Sequence, residues 1–187
     1  MNLHAKFAMA AILFAAAGAQ AQIVPVLNSA TQQPAGDYLY DYSTYVEAGD
    51  TVNPNSYFTI YDIYGFQSVY SMPTGWIDNV QATGVTPAGT SPADSNSVPN
   101  ITWTYTSGPS ISGDPGVGYT YLGEFEFLGT QGNYTQPSVG EYTYSDLETD
   151  NGEQQQGIST VSVPLAPEPA AMSLVGVAAM LSLRRRR

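Results

Sequence analysis

The chain has 187 residues, a formal net charge of −11, no cysteine, one histidine and only five Lys or Arg. His4 and Lys6 stand near its start and Arg184, Arg185, Arg186 and Arg187 end it, so the body, residues 22–163, carries fifteen carboxylates against no basic side chain, about −15 net. That composition excludes Ser-His-Asp and Cys-His nucleophiles, His- or Cys-ligated metals and nucleic acid as a partner; it leaves carboxylate chemistry, oxygen-ligated cations and stacking of Tyr and Trp on neutral ligands.

Residues 1–21 have a short basic start, an apolar run from Phe7 to Ala17 and the small-residue site Ala19-Gln20-Ala21. This is the pattern of a secretory signal peptide cleaved after Ala21, because the apolar run is too short to span about 30 Å of hydrocarbon. The body that follows has the length of one domain.

Alternation by two places Tyr38, Tyr40 and Tyr42 on one face of a strand. The run Ile101 to Thr106 puts Ile101, Trp103 and Tyr105 inward and three threonines outward. Further β-rich runs are Tyr57 to Phe66, Tyr119 to Leu128, Glu141 to Ser145 and Ile158 to Val163, separated by Gly, Pro, Asn and Ser clusters. No stretch of the body has a helical period, and the expected fold is an all-β, antiparallel β-sandwich of about seven to nine strands. Thr83 to Asn100 and Ser107 to Gly118 are expected as long surface loops, solvated spacers rather than sites.

Trp76 follows Pro73-Thr74-Gly75, in turn chemistry rather than alternation, and is the ring expected to be exposed as a ligand platform for sugars. Glu124 and Glu126 share a strand face about 6.5–7 Å apart, near the spacing of a paired-carboxylate glycosidase. The words Glu-Phe-Glu-Phe-Leu-Gly resemble the active-site strand of laminarinase-like glycoside hydrolases, but the position implied for the nucleophile is Leu122, so the chain is expected to have no catalytic residues and to be no enzyme. Asp146, Glu148 and Asp150 alternate before Gly152, the one place where composition suggests a cofactor, a calcium ion. Two glycosylation triplets, at Asn100 and Asn133, are expected to be fortuitous.

The C-terminus, residues 164–187, joins Pro167-Glu168-Pro169 to an apolar run from Ala170 to Leu183 and then to four arginines. The run makes a helix about 21 Å long, and a basic cluster behind the last apolar segment of an exported chain stays on the cytoplasmic side, so Arg184, Arg185, Arg186 and Arg187 are expected to stop transfer. Together with the signal peptide, this ending resembles the PEP-CTERM sorting signal of Gram-negative bacteria, with Ala166 where Val is common. The resemblance implies an exosortase as partner, recognising Pro167, Glu168 and Pro169, transient residence in the inner membrane, and release of the body to the cell surface or the extracellular matrix. It also implies an association with exopolysaccharide and biofilm. It implies nothing about the fold or activity of the body.

Overall fold

A computed structural model describes residues 22–134, 140–149 and 151–166. The expected signal peptide, sorting motif, apolar helix and arginine cluster lie outside the described residues, apart from the positions just before Pro167. No helix occurs among the described residues, so none there is long and apolar enough to cross a membrane.

Eleven strands form: β1 (Ile23–Gln32), β2 (Tyr38–Glu47), β3 (Asp50–Val52), β4 (Tyr57–Ile60), β5 (Phe66–Ser71), β6 (Trp76–Gln81), β7 (Asn100–Tyr105), β8 (Ile111–Ser112), β9 (Tyr119–Gly129), β10 (Gly140–Glu148) and β11 (Gln154–Val161). The count exceeds the expected seven to nine partly because β3 and β8 have only three and two residues, too short for alternation to register. All strand pairs are antiparallel. The first sheet has the order β1-β2-β9-β5, and the second runs β6-β7-β4-β10 with β3 and β8 continuing beside β10 and β11 on its other edge.

The run Tyr57 to Phe66 is not one strand. β4 ends at Ile60 in the second sheet, Asp62 and Gly65 turn the chain with φ of 52° and 72°, and β5 starts at Phe66 in the first sheet. Asn100 holds this corner: its side-chain oxygen accepts from Asp62 N at 2.8 Å.

The two sheets enclose an aromatic core. Tyr40, Tyr42, Phe125 and Phe127 from the first sheet meet Phe58, Trp76, Trp103, Tyr105, Tyr142 and Tyr144 from the second. Ile101, Trp103 and Tyr105 of β7 face inward as expected, and the shared tyrosine face of β2 turns Tyr40 and Tyr42 into the core. Buried tyrosines pose a polar-group problem at the ring tip, and for three of them the fold solves it by running the hydroxyl out to a loop carbonyl. Tyr42 Oη donates to Ser162 O at 2.7 Å, Tyr40 Oη to Gln131 O at 2.7 Å, and Tyr105 Oη to Pro109 O at 2.8 Å.

The threonines of β7 do point away from this core, yet Thr102 is buried. The loop expected as a spacer folds back as a strap across the outer face of β4 and β10. Gly84 lies against the Tyr61 ring, where a Cβ would approach to 2.5 Å, and Tyr61 Oη donates to Val85 O at 2.6 Å. Asp94 accepts from Gly84 N at 3.0 Å and from Asn100 Nδ2 at 2.9 Å, closing the strap on itself. Beneath it, Thr59 and Thr102 hydrogen-bond each other at 2.8 Å. Asn100 is thereby fully buried and is no glycan acceptor in the folded chain.

Candidate functional site

The exposed outer face of the first sheet carries the densest polar chemistry. By cross-strand register Asp41 faces Glu126, Ser43 faces Glu124, Tyr45 faces Tyr121 and Glu47 faces Tyr119. Strict alternation would turn Tyr119 and Tyr121 into the core along with Phe125 and Phe127. A bulge prevents this: the register shifts between Thr44 and Tyr45, opposite Gly123 and Tyr121, which leaves Leu122 as the extra residue. Leu122 goes inward, and from there the phase of β9 is reversed. Gly123 makes the bulge possible, since its φ is +128° and a Cβ would lie 2.4 Å from Pro73.

The result is a tyrosine shelf next to fixed carboxylates. Tyr45 stands between Tyr119, 5.1 Å away at 78°, and Tyr121, 5.5 Å away at 52°. Tyr119 and Tyr121 are 42% and 49% exposed. Tyr121 Oη donates to Glu124 Oε1, and Ser43 Oγ donates to the same oxygen at 2.9 Å. A second bulge, at Asn28 in β1, brings Asn28 Nδ2 within 2.5 Å of Ser43 Oγ and 3.3 Å of Glu124 Oε2. Glu126 is bound by Ser71 Oγ.

Electrostatics divide these acids. Burial, and then the neighbouring Glu124 and Glu126, push Asp41 up to about 7. Burial also acts to raise Glu124, but hydrogen bonds from Asp41, Tyr121 and Ser43 outweigh it and hold Glu124 below the usual range. Of the two, Asp41 is therefore the one that takes up a proton more readily and Glu124 the one that stays ionised to lower pH. The donors on this face are already engaged with the carboxylates: Asn28, Ser43 and Tyr121 with Glu124, and Ser71 with Glu126. The arrangement can accept hydrogen bonds from a ligand's hydroxyls and stack rings on its apolar side.

A second acidic pair is buried. Asp50 and Asp146 are 0% and 1% exposed, on the core-facing side of β3 and β10. Their carboxyls are within hydrogen-bond reach of each other, and burial, followed for Asp146 by its partner's charge, drives both values strongly upward. None of the four carboxylate oxygens has a donor among the described residues.

The predicted site residues fare differently. Trp76 is not a platform: it is 5% exposed, packed against Phe58, Tyr105 and Phe125. The turn before it is real, with Gly75 at φ +93°, but it delivers the ring into the core as the first residue of β6. Of the alternating acids, the two described, Asp146 and Glu148, have different surroundings. Asp146 turns inward to Asp50, and Glu148 Oε2 accepts from Asn151 Nδ2 at 2.7 Å at the hairpin tip. Asp150 lies outside the described residues. Among the described residues no three His, Cys, Asp or Glu side chains form a metal cluster. Tyr119 and Tyr121 were missed, and the available signal was Gly123 inside a strand, which marks bulges. Asp50 was missed because its partner lies 96 positions away in the chain.

No family model matches the chain, and no curated protein matches it. Two solved structures of a GH20 exo-β-N-acetylglucosaminidase from Vibrio harveyi are similar to it at 11% identity, one in complex with N-acetylglucosamine and one an inactive mutant. Their TM-scores are 0.37 and 0.36, and each match covers 80% of this chain but only 19% of the enzyme. At that level neither fold family nor activity is transferred.

Proposed function

We propose that this chain is an exported, non-enzymatic protein of the cell surface or extracellular matrix, sorted by its PEP-CTERM-type ending and working alongside exopolysaccharide. The observation that carries the reading is the order at the C-terminus, Pro167-Glu168-Pro169, apolar run and four arginines, behind a body without a single basic side chain. In this reading an exosortase acts at Pro167, Glu168 and Pro169 while the apolar helix holds the chain in the inner membrane. The four arginines keep the far end on the cytoplasmic side.

Intact mass of the protein from the membrane, surface and medium fractions of its host tests this. The expected species begins near Gln22 and ends near Pro167 to Pro169. A species that keeps Arg187 and stays wholly in the membrane fraction would show a permanent anchor and overturn the sorting role.

A second reading is favoured by the tyrosine shelf: the body is a module for neutral carbohydrate. Exposed rings stack on the C–H face of a sugar, and the ionised Glu124 takes up hydroxyl donors beside them. The negative face disfavours acidic polysaccharides. Binding to neutral glycans that Tyr121→Ala abolishes would support this reading, and an array with no signal at any neutral glycan would remove it.

A further inference from the structure

We infer that Asp50 and Asp146 form a buried site for a divalent cation of the calcium class, which takes Asp146 from the alternating acids of the β10–β11 hairpin but pairs it with β3 instead of the hairpin loop, and which is independent of how the chain is sorted. Two carboxylates facing each other at 0% and 1% exposure are costly unless something neutralises them. Elsewhere that partner is Lys, Arg or His. Residues 22–166 contain none of these.

Two candidates remain, a proton and a cation. One proton shared between the carboxyls forms a single O–H···O contact, which leaves two of the four buried oxygens without a donor and one negative charge in place; a second proton closes a neutral acid pair, but only where the pH is low enough to protonate both. That charge would also face Glu47 and Glu148, both near enough to raise Asp50. A divalent ion neutralises both carboxylates and gives all four oxygens a partner.

The surroundings are built to keep the pair together. Asp50 lies directly across from Glu148 in the β3–β10 register, which puts Asp146 on the diagonal of the same face. A main-chain bond ties the two segments together, Thr149 N donating to Gly49 O at 2.7 Å, and Gly113 N holds β3 from its other side by donating to Asp50 O at 2.9 Å.

The donor set decides the kind of ion. Carboxylate oxygens without nitrogen or sulfur select a hard cation. Calcium takes six to eight oxygens with flexible geometry, and two bidentate carboxylates supply four of them. Water and main-chain carbonyls must complete the shell, since no third acidic side chain closes on the pair among the described residues. A site with so few charged ligands belongs to the weak class, with a dissociation constant of roughly 10⁻⁴–10⁻³ M, suited to an extracellular setting.

The test is thermal unfolding of the full chain at pH 7.5, in chelator, in 5–10 mM CaCl₂ and in NaCl of equal ionic strength. Calcium is expected to raise the midpoint by about 3–6 °C beyond the salt control. Asp50→Asn and Asp146→Asn, each of which lets the new amide donate to the remaining carboxylate, should abolish that increment. Terbium supplies a readout that does not depend on the variants folding. Tyr144, whose hydroxyl is pushed upward by burial and then by Asp146 and Asp50, lies close enough to sensitise a bound lanthanide, and one equivalent of calcium-displaceable emission is expected. The site is refuted by a wild type that responds to protons but not to calcium, by a calcium increment that survives in both variants, or by the lack of displaceable terbium emission.

Discussion

Phe125 and Trp76 meet edge to face across the sheet interface, with ring centroids 5.0 Å apart and planes at 88°. Phe125 makes the same kind of contact with Phe58 at 5.0 Å and with Trp103 at 5.7 Å, so one ring of the first sheet sits among three of the second. Replacing Trp76 empties one side of that arrangement. Trp76→Ala is expected to cost about 3–5 kcal/mol of unfolding free energy, measured by denaturant titration. A loss below about 1 kcal/mol would mean that the ring is not in the core.

The strap is held by one hydroxyl in particular. Tyr61 Oη reaches Val85 O at 2.6 Å and Thr143 Oγ1 at 3.0 Å. Tyr61→Phe leaves the ring in place against Gly84 and removes only the anchor, a net loss of about 1 kcal/mol. Its clearer effect is local opening: thermolysin should cut between residues 85 and 98 several times faster than in the wild type, with little change in global midpoint. Equal cutting rates in the two proteins would show that the strap is held by other contacts.

The outer acids predict an unusual pH response. Asp41 is raised from 3.8 to about 7 in the folded chain, so the folded form keeps a proton that the unfolded form has lost. Its contribution is full at low pH and disappears as pH rises through about 7. Glu124 is lowered and acts in the opposite sense, but only as pH falls below its ordinary 4.5. Between pH 5 and 8.5 the midpoint should therefore fall in the wild type and fall less in Asp41→Asn. Parallel pH profiles for the two proteins would contradict the upward shift of Asp41.

The bulge in β9 predicts that the shelf depends on glycine. In Gly123→Val the φ of +128° and the approach to Pro73 are both unfavourable, and a chain forced back to plain alternation would turn Tyr121 inward. Loss of at least 1–2 kcal/mol is expected, together with a shift of the Tyr121 ring resonances towards buried environments. A variant as stable as wild type, with unchanged tyrosine spectra, would mean that the bulge does not need this residue.

Much of the frame was legible because parts of β2, β7 and β9 alternate large apolar or aromatic residues with mostly polar ones, as in Tyr40-Asp41-Tyr42-Ser43, Ile101-Thr102-Trp103-Thr104-Tyr105 and Glu124-Phe125-Glu126-Phe127. Trp76 was misplaced because β6 does not alternate by hydrophobicity: Ile77 and Val80 are exposed while Trp76 alone is buried. The strap was unreadable because its sequence has no apolar period, and its attachment is made by single hydrogen bonds to Tyr61, Thr143 and Asn100. The Asp50–Asp146 pair left only an indirect trace in the sequence, the want of any base to neutralise it. Phase reversal at Gly123 shows how one residue without a side chain decides what an entire strand half presents to solvent.

The position of β9 between β2 and β5 sets the order in which the chain can assemble. β1 and β2 are neighbours in sequence and can pair as a hairpin while the rest is still being made. Their sheet stays incomplete until residues 119–129 arrive, some seventy positions after Glu47. Such distant pairing makes folding slow, and until it completes, β2 presents an open edge and a row of uncovered tyrosines. A chain of this topology has a long interval in which it needs protection from its own copies, and its uncompensated negative charge supplies that through mutual repulsion.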